Sequence, residues 1–163
     1  MGFQSINEIE QFRFDDCVIC ELVEEPDKVE LVVDALIVCR NNSQNTNFTE
    51  SYADTAKIRF AGGKIAGGIK DGFKYYDANE VLLSEVPDTS LDEEALVRLK
   101  KQCAGAYLYD IQKEQDTDGK VCFVLSIEFI DEEEQTMGES YRLFVPAEKV
   151  VVNWERYLNR VQA

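Results

Sequence analysis

Gly119–Glu132 reads GKVCFVLSIEFIDE, in which Val121, Phe123, Leu125, Ile127 and Phe129 fall on one face at a period of two. Cys122, Val124, Ser126, Glu128 and Ile130 fall on the other. A wholly apolar face opposite a mixed one marks a long strand laid against a core. Upstream, Lys28–Cys39 reads KVELVVDALIVC and repeats the pattern at an offset of 92 residues, with Val29, Leu31, Val33, Ala35 and Ile37 on its apolar face.

The likeness extends outward from both segments. Cys17–Lys28 and Gly105–Lys120 each read as a short strand feeding an acidic turn, and Val18 and Leu22 match Tyr107 and Ile111. A polar loop follows each long strand, then Glu50-Ser51-Tyr52 in one copy and Glu139-Ser140-Tyr141 in the other. After these come strands carrying Ala56-Lys57-Ile58 and Glu148-Lys149-Val150. The order implies two diverged copies of a three-stranded meander, about 12–60 and 105–154, within a single domain spanning 1–163. The expected fold is mainly β (α+β), an antiparallel sandwich or distorted barrel.

Between the copies, Ala61–Gly72 holds five glycines without either phosphate-binding fingerprint and reads as part of a central hairpin over 61–86. Phe73–Val86 is its strand pair, turning at Asp77-Ala78-Asn79. Ser90-Leu91-Asp92-Glu93 is a capping box, so a connecting helix is expected over 90–104. Its buried stripe would be Leu91, Ala95, Leu99 and Cys103 beside Leu96, with Gly105 as its stop. Trp154, Tyr157, Leu158 and Val161 stand at i, i+3, i+4 and i+7 and predict a short C-terminal helix. Ser5 and Glu8 predict a turn or two of helix over Ser5–Gln11.

Thirty-two acids against 17 bases give a net charge of −15, which argues against nucleic acid held through its phosphates and admits a basic protein partner. No apolar run reaches membrane-span length, the first residues lack a signal-peptide pattern, and Ile6 breaks a myristoylation motif. Five cysteines, an odd number, point to free thiols and a cytoplasmic location. Histidine is absent, which removes Ser-His and Cys-His nucleophile pairs and histidine metal sites.

Among the remaining chemistries, Cys17 and Cys20 would point to opposite faces of a strand, which suits two small structural residues better than a redox or zinc pair. Glu114, Asp116 and Asp118 open like a calcium loop, but the closing position falls on Leu125 inside the strand, so a hairpin turn is the better account. No cofactor and no metal are expected. The densest charge is Asp131, Glu132, Glu133 and Glu134, which with Glu114, Asp116 and Asp118 is the candidate surface for a basic partner. Lys57–Lys74 is the contrasting basic stretch, with five bases and only Asp71.

Three functions follow. The first is a non-catalytic cytoplasmic interaction module, inhibitor-like or immunity-like, that covers a basic partner. The second is a barrel binding a small apolar ligand, with Asp34, Tyr75, Tyr107 and Tyr109 as ligand-facing candidates and Tyr76 beside them. The third is a carboxylate-dependent enzyme using Asp15, Asp16 or Asp34. The sequence leaves oligomeric state open.

Overall fold

A computed structural model describes residues 2–114, 119–131 and 136–161, with the side chains of 130, 131 and 136–138 left aside. Antiparallel strands dominate, and one α-helix occurs among the described residues. The N-terminus gives β1 (Phe3–Ile6), a single 3-10 turn at Ile9–Gln11 and β2 (Phe12–Arg13) in place of the expected helix. Ser5 and Glu8 do meet, the Ser5 hydroxyl donating to the Glu8 carboxylate at 2.7 Å, but the contact closes a turn rather than caps a helix.

The first hairpin pairs β3 (Val18–Glu25) with β4 (Lys28–Asp34) around the two-residue turn at Pro26-Asp27. The expected long strand Lys28–Cys39 breaks here. Ala35 takes a left-handed φ of 62°, so alternation is lost and Leu36, Ile37 and Val38 are all buried. The chain leaves for a separate four-stranded sheet as β5 (Ile37–Val38) and β6 (Ser51–Ala53), then returns as β7 (Ala56–Ala61) beside β4.

From Ala61 the chain crosses to β8 (Gly67–Lys70), extends through β9 (Phe73–Tyr76), and comes back as β10 (Leu82–Val86) and β11 (Thr89–Ser90). These four segments are one hairpin in one register, since Lys70 faces Thr89 and Phe73 faces Val86. The ladder lapses opposite Pro87, which has no N–H to give. The expected strand pair and its turn are present; of the glycine-rich stretch, the part up to Ala66 is a crossover and Gly67–Lys70 is the hairpin's first strand segment.

Helix α1 (Glu93–Gln102) starts later than expected: Asp92 is its N-cap and accepts from the Ala95 amide, while Ser90 belongs to β11. Leu99 and Cys103 are buried and Leu91 and Leu96 pack against the core, as the four-residue spacing predicts. Gly105, at φ 91°, turns the chain two residues past the cap.

The second hairpin joins β12 (Tyr107–Glu114) to β13 (Val121–Asp131), followed by β14 (Thr136–Ala147) and β15 (Lys149–Trp154). The last element is β16 (Tyr157–Arg160), a strand pairing with β6 where a helix was expected. Trp154 and Tyr157 instead enter an aromatic cluster with Phe3 and Phe12, and sheet pairing overrides the helical spacing.

Ten strands form the main sheet in the order β1-β15-β7-β4-β3-β12-β13-β14-β8-β11, with β16-β6-β5-β2 as the smaller sheet. The order has two ends, so the expected barrel does not close. Phe60 of β7 and Phe123 of β13 lie 5.1 Å apart although four strand steps, roughly 19 Å of flat sheet, separate them. The sheet therefore curls its apolar faces together, and Val29, Leu31, Val33, Ile58, Phe60, Phe123, Leu125, Ile127, Leu143 and Val145 form the core. Glu50-Ser51-Tyr52 and Glu139-Ser140-Tyr141 do not correspond spatially, because β6 lies in the small sheet and β14 in the large one.

Candidate functional site

The long hairpin is rooted in the main sheet at β8 and β11, and beyond Gly72 it leaves the sheet. Every residue of β9 and β10 is exposed. Of the twelve large apolar side chains exposed among the described residues, seven sit on this hairpin: Phe73, Tyr75, Tyr76, Val81, Leu82, Leu83 and Val86. Leu83 is 66% exposed. A two-stranded hairpin is marginal in water by itself, and apolar groups displayed together mark a contact surface.

Its root is locked from both strands. Arg142 donates from Nε to Asp71 at 2.7 Å and from Nη2 to Asp88 at 3.1 Å, and Asp88 also accepts from the Gly72 amide at 2.7 Å. Its guanidinium pKa is raised, chiefly by the Asp71 hydrogen bond. Gly72 approaches the opposite strand so closely that a Cβ there would stand 1.9 Å from the Val86 carbonyl oxygen. At the tip, Asp77 accepts from the amides of Asn79 and Val81, which holds the turn. Phe73 and Tyr75 meet edge to face at 4.9 Å.

Beside this hairpin runs a groove of about 900 Å³, lined by Asp71–Tyr75 on one wall, Glu139, Ser140 and Arg142 on the other, and Tyr109. Lys70 and Glu139 are shared with a second cleft of about 370 Å³ under α1, which includes Leu91, Leu99, Phe129 and Tyr141. Glu139 accepts from Lys70 at 2.9 Å and from the Tyr141 hydroxyl. Those bonds, Tyr141 first, hold its carboxyl below the usual range, while burial and Glu139 push Tyr141 up to about 12.

The ligand-facing candidates separate. Tyr75 and Tyr109 line the same groove, whereas Tyr107 is half-buried in β12 between Val18 and Glu128. Asp34 lies elsewhere, with Asp16, Asp54, Tyr52, Thr55 and Arg156 around an open depression of about 700 Å³. There Asp34 accepts from Thr55 at 2.8 Å, Asp16 from Tyr52 at 2.9 Å and Asp54 from the Glu155 amide at 3.0 Å. Each carboxylate thus fastens a neighbouring segment. Asp15 pairs with Arg13 and does not line this depression.

The acidic candidates do not form one site around β13. Glu114 ends β12 at the Val121 end of β13, and Asp131 ends β13 itself, so the 11-residue strand holds the two turns roughly 33 Å apart. Asp116, Asp118, Glu132, Glu133 and Glu134 lie outside the described residues.

Cys17 is buried and Cys20 exposed, and no disulfide joins any two of the five cysteines. Burial pushes Cys17 up to about 12, which leaves it protonated and a poor nucleophile. No cluster of three metal-ligating side chains occurs among the described residues, and none of their helices is long and apolar enough to cross a membrane.

The fold and surface define a mainly antiparallel β protein that displays an apolar hairpin. No family model matches the chain, and neither the curated proteins nor the solved structures searched give a match to it.

The hairpin is the feature sequence reasoning placed without seeing its role. FKYYDANEVLLSEV carries apolar residues on both faces of two short strands, and a strand buried on neither face has no folding reason for that.

Proposed function

We propose that the protein is a non-catalytic, cytoplasmic interaction module, inhibitor-like or immunity-like, that captures a basic partner protein on the β9–β10 hairpin. The exposed apolar hairpin carries this reading: seven large apolar side chains stand on an element locked in place by Arg142 and Gly72. Locking reduces the ordering cost of binding, which is what a docking element needs. The net charge of −15 favours a basic partner and disfavours a second copy of the chain. The overall acidic charge acts in this reading by steering the partner.

The main sheet is read as two diverged copies folded over as a sandwich. What supports this is the placement of irregularities: the β3–β4 ladder slips between Ile19 and Glu21, and the β12–β13 ladder between Leu108 and Asp110. In addition, β7 is followed by β8, which pairs with β14, and β14 is followed by β15, which pairs with β7. Each half thus lends its fourth strand to the other. The pairing equates Leu31 with Leu125, an offset of 94 rather than 92.

Affinity capture from lysate of the source cell, eluted by a salt gradient, tests the function. The expected result is one stoichiometric basic protein that leaves as salt rises and is not retained by a Tyr76→Ser/Leu83→Ser variant. Retention that ignores both salt and these substitutions would overturn the proposal.

A further inference from the structure

Two unpaired strand edges diverge from one point. β14 pairs with β8 from Tyr141 to Phe144, and the Asp71 amide donates to the Ser140 carbonyl at 2.8 Å. Past that contact the strands part. β14 continues back towards Thr136 with β13 as its ladder partner, while β9 continues forward with β10 as its partner. Each presents its other backbone edge to the same groove of about 900 Å³, whose walls are Gly72–Tyr75 and Glu139–Ser140. Unpaired edges facing each other are a template for an added strand.

The charges select what could enter. Within the fork, Lys70 is held by Glu139, Lys74 by Glu85 and Arg142 by Asp71 and Asp88. Glu128 is cross-strand from Ser140 and has no cation within ion-pair distance among the described residues. Its pKa is raised by burial and by Asp71, so its charge is held at a cost that an incoming cation would relieve. Phe73, Tyr75 and Tyr109 offer aromatic surface, which suits lysine and arginine stems and heads alike.

We propose that the fork between β9 and β14 accepts an extended, basic segment of the partner protein as an added β-strand, completing a run β13-β14-partner-β9-β10. This rests on the reading of the hairpin as a docking element and adds the mode of binding. A strand running beside the four residues of β9 would form a ladder roughly 13 Å long. On one face its side chains would meet Glu128, Phe73 and Tyr75, which share a face of the paired register, and the alternate ones would lie on the face of Lys70 and Glu139.

The test uses the full chain and three eight-residue peptides: lysine alternating with valine, glutamate alternating with valine, and the lysine peptide N-methylated at every second residue. Binding is followed by fluorescence anisotropy, and amide exchange is read by NMR at Phe73–Tyr76 and Thr136–Ser140. The lysine peptide should bind saturably and slow exchange at least tenfold in both segments. Its affinity should fall at least tenfold on N-methylation and severalfold in Glu128→Gln, with the thermal midpoint of the variant unchanged. The glutamate peptide should not bind. Overturning results are absent protection in both segments, equal binding of the N-methylated or glutamate peptide, or sedimentation showing that a second copy of the chain already occupies the edge. If a captured partner still requires Tyr76 and Leu83 while the peptides protect neither edge, the strand mode fails and the hairpin reading survives.

Discussion

Replacing Gly72 by alanine should unseat the hairpin and leave the core standing. The added Cβ would meet Val86 O at 1.9 Å, Pro87 C at 2.5 Å and Pro87 O at 2.7 Å, all backbone atoms of the opposite strand. Real Cβ contacts essentially never fall under 3.0 Å, so the strands must part by about 1 Å at this point. That movement pulls the Gly72 amide from Asp88, now 2.7 Å away, and loosens the Arg142 bridge between Asp71 and Asp88. Overpacking of this kind costs about 1–3 kcal/mol. At about 1.4 kcal/mol per decade, hairpin opening rises roughly 5-fold to 150-fold. No residue of β9 or β10 is buried, so the loss should not propagate to the core. Hydrogen exchange reads both regions at once. Amides of Phe73–Val86 should lose protection by that factor, while those of Val29–Val33 and Phe123–Ile127 change little and the thermal midpoint moves by about 2 °C or less. Unchanged exchange in the hairpin would show that the strand gap absorbs a methyl group. An equal loss in hairpin and core would show that the hairpin is part of the main cooperative unit, and the reasoning would be wrong.

Other expectations are checked more simply. Leu125→Ala, at the fully buried centre of β13, should cost about 2–5 kcal/mol in urea unfolding. Ala35→Gly should stabilise by about 0.5 kcal/mol, because the left-handed φ of 62° suits glycine and relief of strain exceeds the added backbone entropy. Arg142→Gln should raise exchange in the hairpin without shifting the core, at a cost of about 1 kcal/mol given its partial exposure and solvent screening. Glu139 is lowered by Tyr141 and Lys70. In Glu8, burial acts upward but the Ser43 and Ser5 hydrogen bonds outweigh it. Both groups contribute stability that is present above the ordinary carboxylate value of 4.5 and lost as pH falls through their lowered values, so the urea midpoint should drop between pH 5 and pH 3. Cys17 has the opposite sign: raised from 9.0 to about 12, it favours folding below pH 9 and that contribution fades as pH rises through about 12.

The core was legible because period-two alternation is a direct image of a half-buried strand. The faces assigned to Val121–Phe129 and Val29–Val33 are the faces that enter the core. Likewise, four-residue spacing found the stripe of α1, since Leu99 and Cys103 are buried. Alternation could not reveal the break at Ala35, because nothing in an alanine signals a left-handed turn; only the run Leu36-Ile37-Val38, buried without alternation, betrays it. The C-terminal helix failed for another reason: Trp154 and Tyr157 satisfy helical spacing, but Tyr157 also gains β6 as a ladder partner and the Gln44 carbonyl as acceptor at 2.6 Å. At the site, charge drew attention to acidic turns, whereas the surface that lacks a partner within the fold is apolar. A strand pair such as Phe73–Val86 looks ordinary until its exposure is known, and exposure is set by where Gly72 and Arg142 aim the hairpin.

The most direct test of the account is titration calorimetry of the captured basic partner against three forms of the protein: unaltered, Tyr76→Ser/Leu83→Ser, and Glu114→Gln/Asp131→Asn, each at low and high salt. The account predicts that the hairpin substitutions weaken binding at least a hundredfold at both salt levels. It predicts that the acidic-turn substitutions reduce mainly the salt dependence. Affinity that survives loss of the hairpin side chains and collapses with the acidic turns would contradict it.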